Sequence, residues 1–76
     1  MKRVGDVVRT AQGLAIARGS TGEDPPGIGE TVVDESLSTV GRVVDVFGPV
    51  DRPYVAVTPN DGVTLADLLG GKLYAR

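Results

Sequence analysis

Short runs of β-branched residues alternate with Gly, Pro and Asp along most of this chain. That alternation is typical of small all-β proteins, in which tight turns separate short strands. We expect six strands that close into a barrel, because closure leaves no unpaired strand edge. The predicted strands run from Arg3 to Arg9, Leu14 to Arg18, Thr31 to Asp34, Thr39 to Phe47, Tyr54 to Thr58 and Lys72 to Ala75.

Two local motifs connect these strands. The sequence Ala11-Gln12-Gly13 predicts a hairpin turn, since glycine readily adopts the positive φ of a tight turn. Near the C-terminus, Thr64 and Asp67 have the spacing of a capping box, so we expect one short helical turn there. The residues expected on its apolar face are Leu65, Leu68 and Leu69, and Gly70-Gly71 would end it.

The length of the chain and the distribution of its charges indicate one small domain with an acidic segment. A chain of 76 residues is near the lower limit for an unaided hydrophobic core, so we expect a single domain over residues 1–76 that works within a larger assembly. Residues 19–30 are rich in Gly, Pro and acids, which predicts a mobile, solvated loop. The net charge of −2 argues against a protein that depends on many phosphate contacts.

The chain contains neither cysteine nor histidine. Their absence excludes a disulfide, a Ser-His-Asp or Cys-His catalytic site and a His/Cys zinc site. The adjacent acids Glu23-Asp24 and Asp34-Glu35 would point to opposite sides of an extended chain, so we expect neither pair to be catalytic. We therefore expect no catalytic residue, no cofactor and no metal. No apolar signal segment follows Met1-Lys2-Arg3 and no apolar run approaches the roughly 18 residues of a membrane span, so we expect an intracellular protein.

The fourth and fifth predicted strands carry apolar residues at both odd and even positions. Because alternate positions face opposite sides of a strand, a small barrel normally buries only one of these two sets. We expect the outward set to form a contiguous apolar patch, and such patches usually mark an interface. Gly48-Pro49 and Pro53 would present the connection between the two strands in a preformed shape. The alternative is that Phe47 or Tyr54 plugs an end of the barrel. On the fourth strand, one side carries Val40, Val44 and Val46 and the other carries Val43 and Phe47. On the fifth strand, one side carries Val55 and Val57 and the other carries Tyr54 and Ala56.

Aromatic residues that could stack on nucleic-acid bases are few. The chain offers only Phe47, Tyr54 and Tyr74, and the arginines nearest in sequence to the first two are Arg42 and Arg52. Base stacking requires exposed aromatic rings supported by basic residues. Because surface arginines between strands usually only stay hydrated, this set gives little support for direct RNA binding.

The run VGRVVDVFGPVDRPYVAV, from Val40 to Val57, closely resembles the core signature of the glycine/arginine-rich (GAR) subunit of H/ACA ribonucleoproteins in its short archaeal form. The likeness extends to the opening MKRVGDVV, to the glycine-containing turn before Leu14, and to Val32-Val33-Asp34. It therefore covers most of the chain.

This resemblance implies a six-stranded barrel related to those of translation elongation factors. It also implies a non-catalytic subunit for guide-RNA-directed pseudouridylation of ribosomal RNA in the cytoplasm of an archaeal cell. In the family, the subunit binds a dyskerin/TruB-like synthase and influences substrate loading and product release. The residues expected to face the synthase are Gly41, Phe47, Gly48, Pro49, Val50, Pro53, Tyr54 and Val55.

The chain lacks the arginine-glycine-rich tails of eukaryotic members, and its Asp/Glu-rich segment from Gly19 to Glu35 would repel RNA. We therefore expect contact with guide RNA and ribosomal RNA to be mainly indirect. Alternatives that remain open are a ribosome-maturation-type small-barrel adaptor that binds a ribosomal protein, and a barrel that binds RNA directly. A further open alternative is weak self-association of the isolated protein through its apolar patch.

Overall fold

The computed structural model describes residues 2–19 and 24–76. They form a closed antiparallel barrel of six strands with one short helix near the C-terminus, as predicted from the sequence. Around the barrel the strand order is β1-β2-β5-β4-β3-β6. The elements are β1 (Lys2–Ala11), β2 (Leu14–Arg18), β3 (Thr31–Val33), β4 (Thr39–Phe47), β5 (Tyr54–Pro59), α1 (Leu65–Leu68) and β6 (Lys72–Ala75).

The β1–β2 hairpin has the tight turn that its sequence predicts. Ala11 and Leu14 are paired in register, and the two residues between them, Gln12 and Gly13, have φ values of 52° and 77°. Positive φ at both central positions is the geometry whose twist matches that of the flanking strands. The turn thus fixes the register of β1 against β2.

Valine fills most of the barrel interior. Because small barrels leave room only for a compact set of inward side chains, β-branched residues pack well there. Leu68 of α1 joins the buried cluster, with Leu65 packed against it. Fully buried side chains include Val4, Val32, Val33, Val43, Val55, Val57 and Leu73.

The predicted capping box at the helix is wrong in its side-chain part. Thr64 does occupy the N-cap, but its side chain makes no capping hydrogen bond. Leu69, expected on the apolar face, is exposed. Tertiary contacts hold this turn instead: the amide of Gly70 donates to Val7 and the amide of Val7 donates to Gly71. With only one turn, these strand contacts decide its position.

A β-bulge in β4 overturns the predicted apolar patch along two strands. Val43 pairs with Val57 and Asp45 pairs with Ala56, so Val44 is an extra residue on β4. An extra residue reverses which parity faces inward. Residues predicted to share one side of β4 therefore lie in different environments: Val40 is buried, Val46 packs against the core and Val44 is 41% exposed. On β5, Ala56 is also buried.

The predicted mobile loop, residues 19–30, falls partly outside the described residues, which omit 20–23. At its C-terminal end the backbone pairs with β4. The amide of Gly29 donates to the Val43 carbonyl at 2.7 Å, and the Val43 amide donates to the Glu30 carbonyl at 3.0 Å. These bonds extend the β3–β4 ladder, and the mobility of the segment stays a prediction.

Candidate docking surface

The most exposed apolar side chains next to the barrel's β4–β5 connection lie in four consecutive residues, 47–50, which we call the docking tip. Phe47 is 37% exposed and Val50 is 98% exposed. Between them, Gly48 has a φ of 92°, a conformation that side-chain-bearing residues rarely adopt. Pro49 has its φ fixed by its ring, and its carbonyl accepts a hydrogen bond from the Arg52 amide at 3.3 Å. The tip is therefore a turn of restricted shape.

Stacked aromatic rings support the tip from β5. Phe47 and Tyr54 are paired in register, and their ring centroids lie 5.5 Å apart with an interplanar angle of 21°. Tyr54 is only half-buried, and neither ring belongs to the buried core or to the side chains packed against it, so the stack lies on the outer side of the barrel wall. Offset stacking of this kind fixes the direction of Phe47 beyond what burial alone would do.

An open groove runs beside the tip. Its volume is about 400 Å³, and its floor and walls are mostly apolar. Two acids, Asp24 and Asp51, lie at its rim. The apolar lining is supplied by Pro25, Val46, Phe47, Pro49, Val50 and Pro53. A concave apolar site of this size suits one or two side chains of a partner protein.

The eight residues expected to face a partner do not share one surface. Four of them form the exposed tip, Tyr54 lies behind it, and Pro53 is mostly buried but lines the same groove, whereas Gly41 and Val55 are buried. Val55 is 1% exposed in the barrel core. A Cβ at Gly41 would overlap the carbonyl oxygen of Thr58 on β5, so glycine there permits the close approach of two strands. The partner-facing role stays a prediction for the exposed members.

Two arginines that the sequence did not single out approach the aromatic stack. The Cζ of Arg18 lies 4.8 Å from the Tyr54 ring centroid, and the Cζ of Arg9 lies 5.9 Å from it. By contrast, Arg42 is exposed on β4, and the Nε of Arg52 donates to the Gly19 carbonyl at 3.0 Å. Proximity in sequence was misleading because β5 lies between β2 and β4, so its neighbours come from distant positions.

Other exposed apolar side chains lie away from the tip. Ile28 is 70% exposed and lines a separate shallow groove with Val44. Leu37 is 60% exposed in the turn that precedes β4, at the opposite end of that strand from Phe47. These residues provide matched comparisons for the tip.

The described part of the chain offers neither a metal-binding cluster nor a helix that could span a membrane. Residues 2–19 and 24–76 contain no group of three acidic side chains placed to hold a metal ion. No described helix has the length and apolarity needed to cross a bilayer.

Comparison with known proteins agrees with the barrel and its signature segment. A family model described as the Gar1/Naf1 RNA binding region matches residues 1–76, the whole chain. An uncharacterized protein of Methanocaldococcus jannaschii is 39% identical over 51 residues, which are 67% of this chain and 58% of that protein. The match therefore spans little more than half of the archaeal relative. The chain belongs to the Gar1/Naf1 RNA-binding family, an accessory rather than catalytic family associated with H/ACA ribonucleoproteins.

Proposed function

We propose that this protein is the synthase-binding subunit of an archaeal H/ACA guide-RNA pseudouridylation complex. It binds a dyskerin/TruB-like synthase, carries no catalytic residue of its own, and assists loading of ribosomal RNA substrate and release of product. The observation that carries the proposal is the family match over residues 1–76, the whole chain. A role in ribosome biogenesis in the cytoplasm of an archaeal cell is part of this proposal, and the similarity to a protein of Methanocaldococcus jannaschii supports its archaeal setting.

The docking tip supports binding to a protein. Val50 is 98% exposed, so its side chain contributes little to the stability of the barrel. Covering it with the apolar surface of a partner would lower the free energy of the complex. Because the ring of Pro49 fixes its φ and the Arg52 amide holds its carbonyl at 3.3 Å, little conformational entropy is lost on binding. Phe47 adds a large, oriented apolar side chain, and buried aromatic residues commonly dominate interface energies.

The charges near the tip support indirect action on RNA. Asp24 and Asp51 at the groove rim carry negative charge, which repels the phosphate backbone. A subunit of net charge −2 has few cations with which to neutralise phosphates. The protein would therefore act on RNA through the synthase, by biasing the position of the elements that admit and release substrate.

Binding is tested first by calorimetric titration of this protein into RNA-free synthase from the same genome. The proposal predicts saturable one-to-one binding without RNA. Phe47→Ala should weaken it about tenfold or more, since truncating a central interface aromatic removes at least that much affinity. Leu37→Ala, which removes an exposed apolar side chain at the other end of β4, should leave the Kd unchanged.

The role in loading and release is tested by pseudouridylation assays with and without this protein. If release limits turnover, the protein should raise the multiple-turnover rate more than the single-turnover rate. An equal effect on both rates would place its action in chemistry or assembly instead. Absence of any effect, together with absence of binding, would refute the proposed function.

A further inference from the structure

We propose that Arg9 and Arg18 form a carboxylate-binding site that receives acidic side chains of the protein partner beside the docking tip. This inference rests on the proposed function and deepens it, since it names the charge that the partner must present. The two arginines lie on neighbouring strands, β1 and β2, and both approach the ring of Tyr54.

The strand register builds one continuous row on the outside of the barrel. Asp6 pairs with Arg18, Arg18 pairs with Tyr54, and Tyr54 pairs with Phe47. Directly opposed residues on antiparallel strands share a face and touch. In the next row Arg9 pairs with Ile16, which brings its guanidinium toward the same ring. The arginines are thus continuous with the docking tip through Tyr54.

The positive charge of this pair is not neutralised by the described residues. The nearest acid in the row, Asp6, is held by Arg3 at 3.2 Å, the one ion pair found among residues 2–19 and 24–76. The Nε of Arg18 is buried and has no hydrogen-bond partner there. Arg9 is exposed. Two guanidinium groups beside one ring, neither of them ion-paired to a described acid, favour an incoming anion.

The surroundings favour a carboxylate on a protein over the phosphate of RNA. Arg18 approaches the Tyr54 ring from β2 and Phe47 stacks on it from β4, so the ring already has a neighbour on each side in the sheet and offers less area to a base. Next to this site lies the apolar docking tip, which needs an apolar partner surface. A protein that combines apolar residues with Asp or Glu meets both requirements, and guanidinium groups bind carboxylates through paired hydrogen bonds.

The experiment is a calorimetric titration of RNA-free synthase at salt concentrations from about 50 mM to about 500 mM, over which surface charges become screened. The proteins compared are wild type, the double variant R9Q/R18Q, the control R42Q and Phe47→Ala. Arg42 is a matched control because it is an exposed arginine on β4 in a different row, paired with Thr58 and Thr31. Thermal unfolding verifies that each variant is folded.

The proposal predicts that R9Q/R18Q raises the Kd about tenfold at low salt, the loss expected for charge-assisted hydrogen bonds. The salt dependence of its Kd should also be flatter than that of the wild type, whereas R42Q should match the wild type. If R9Q/R18Q does not fold, the exposed single change R9Q should still raise the Kd about threefold, as for a partly screened charge pair.

Two results separate this inference from the function on which it rests. If R9Q/R18Q binds as R42Q does at every salt concentration while Phe47→Ala binds weakly, the carboxylate site is refuted and the docking function stands. If wild type does not bind the synthase, both fail. A double variant that keeps its synthase affinity but loses guide-RNA binding, or changes only self-association, would also overturn the proposal.

Discussion

Gly48 lies directly against the ring of Tyr54: a Cβ at residue 48 would come within 2.9 Å of Tyr54 Cδ2. Real Cβ atoms essentially never approach a heavy atom so closely, so a larger residue must displace the ring. Gly48 also has a φ of 92°, which disfavours any side chain. One glycine thus shapes the turn and lets the aromatic stack form beside it.

Gly48→Ala should therefore lower the free energy of unfolding by about 2 kcal/mol, from backbone strain and displacement of the ring together. The matched control is Gly62→Ala, because Gly62 has a similar φ of 87° but open space around it. Strain alone should make that control lose about 1 kcal/mol. Urea denaturation measures both, and equal losses would contradict the contact with Tyr54.

The stack of Phe47 on Tyr54 predicts energetic coupling between the two rings. In a double-mutant cycle with Phe47→Leu and Tyr54→Leu, the coupling free energy should be about 1 kcal/mol. Tyr74 lies on β6, which pairs with β1 and β3, so a cycle with Phe47→Leu and Tyr74→Leu should show coupling near zero. Similar coupling in both cycles would rule out a specific stack.

Gly41 should matter for folding and not as a surface residue. A side chain there would overlap the Thr58 carbonyl oxygen, so Gly41→Ala must separate β4 from β5. We expect a loss of about 3 kcal/mol or more in unfolding free energy, in the range of severe steric changes. Gly27→Ala is the control, since its Cβ would meet only the Glu30 side chain, at 3.6 Å. Wild-type stability for Gly41→Ala would contradict the close strand approach.

Removing the side chain of Thr64 should cost less unfolding free energy than removing that of Asp34, although the sequence predicts a cap at Thr64. The Thr64 side chain makes no capping bond, so Thr64→Ala should change unfolding free energy by less than about 0.5 kcal/mol. The Asp34 carboxylate accepts hydrogen bonds from the amides of Ser36 at 2.9 Å and Ser38 at 3.0 Å. Asp34→Ala should therefore lose about 1 kcal/mol. Chemical denaturation measures the unfolding free energy of both variants. A larger loss for Thr64→Ala than for Asp34→Ala would contradict this account.

Most strand positions could be predicted because Gly and Pro interrupt the ladders where the chain turns. β2, β4 and β6 have the predicted limits. Local chemistry determines these features, so a single sequence is enough to find them.

The features that could not be predicted from the sequence depend on pairing between strands. The bulge at Val44 is visible only when β4 is aligned with β5, and it changes which valines face outward. The placement of Arg9 and Arg18 over Tyr54 likewise follows from the order of β1, β2 and β5. Nothing in the local spacing of these residues specifies that order.

Binding of the synthase through the docking tip is tested most directly by Val50→Asp. Val50 is 98% exposed, so the change should leave the thermal unfolding temperature within error of the wild type. It should nevertheless raise the Kd for RNA-free synthase about tenfold or more, because a carboxylate would be buried against apolar surface. Leu37→Asp, at an exposed position in the turn before β4, is the control. Equal Kd values for wild type, Val50→Asp and Leu37→Asp would contradict the docking tip.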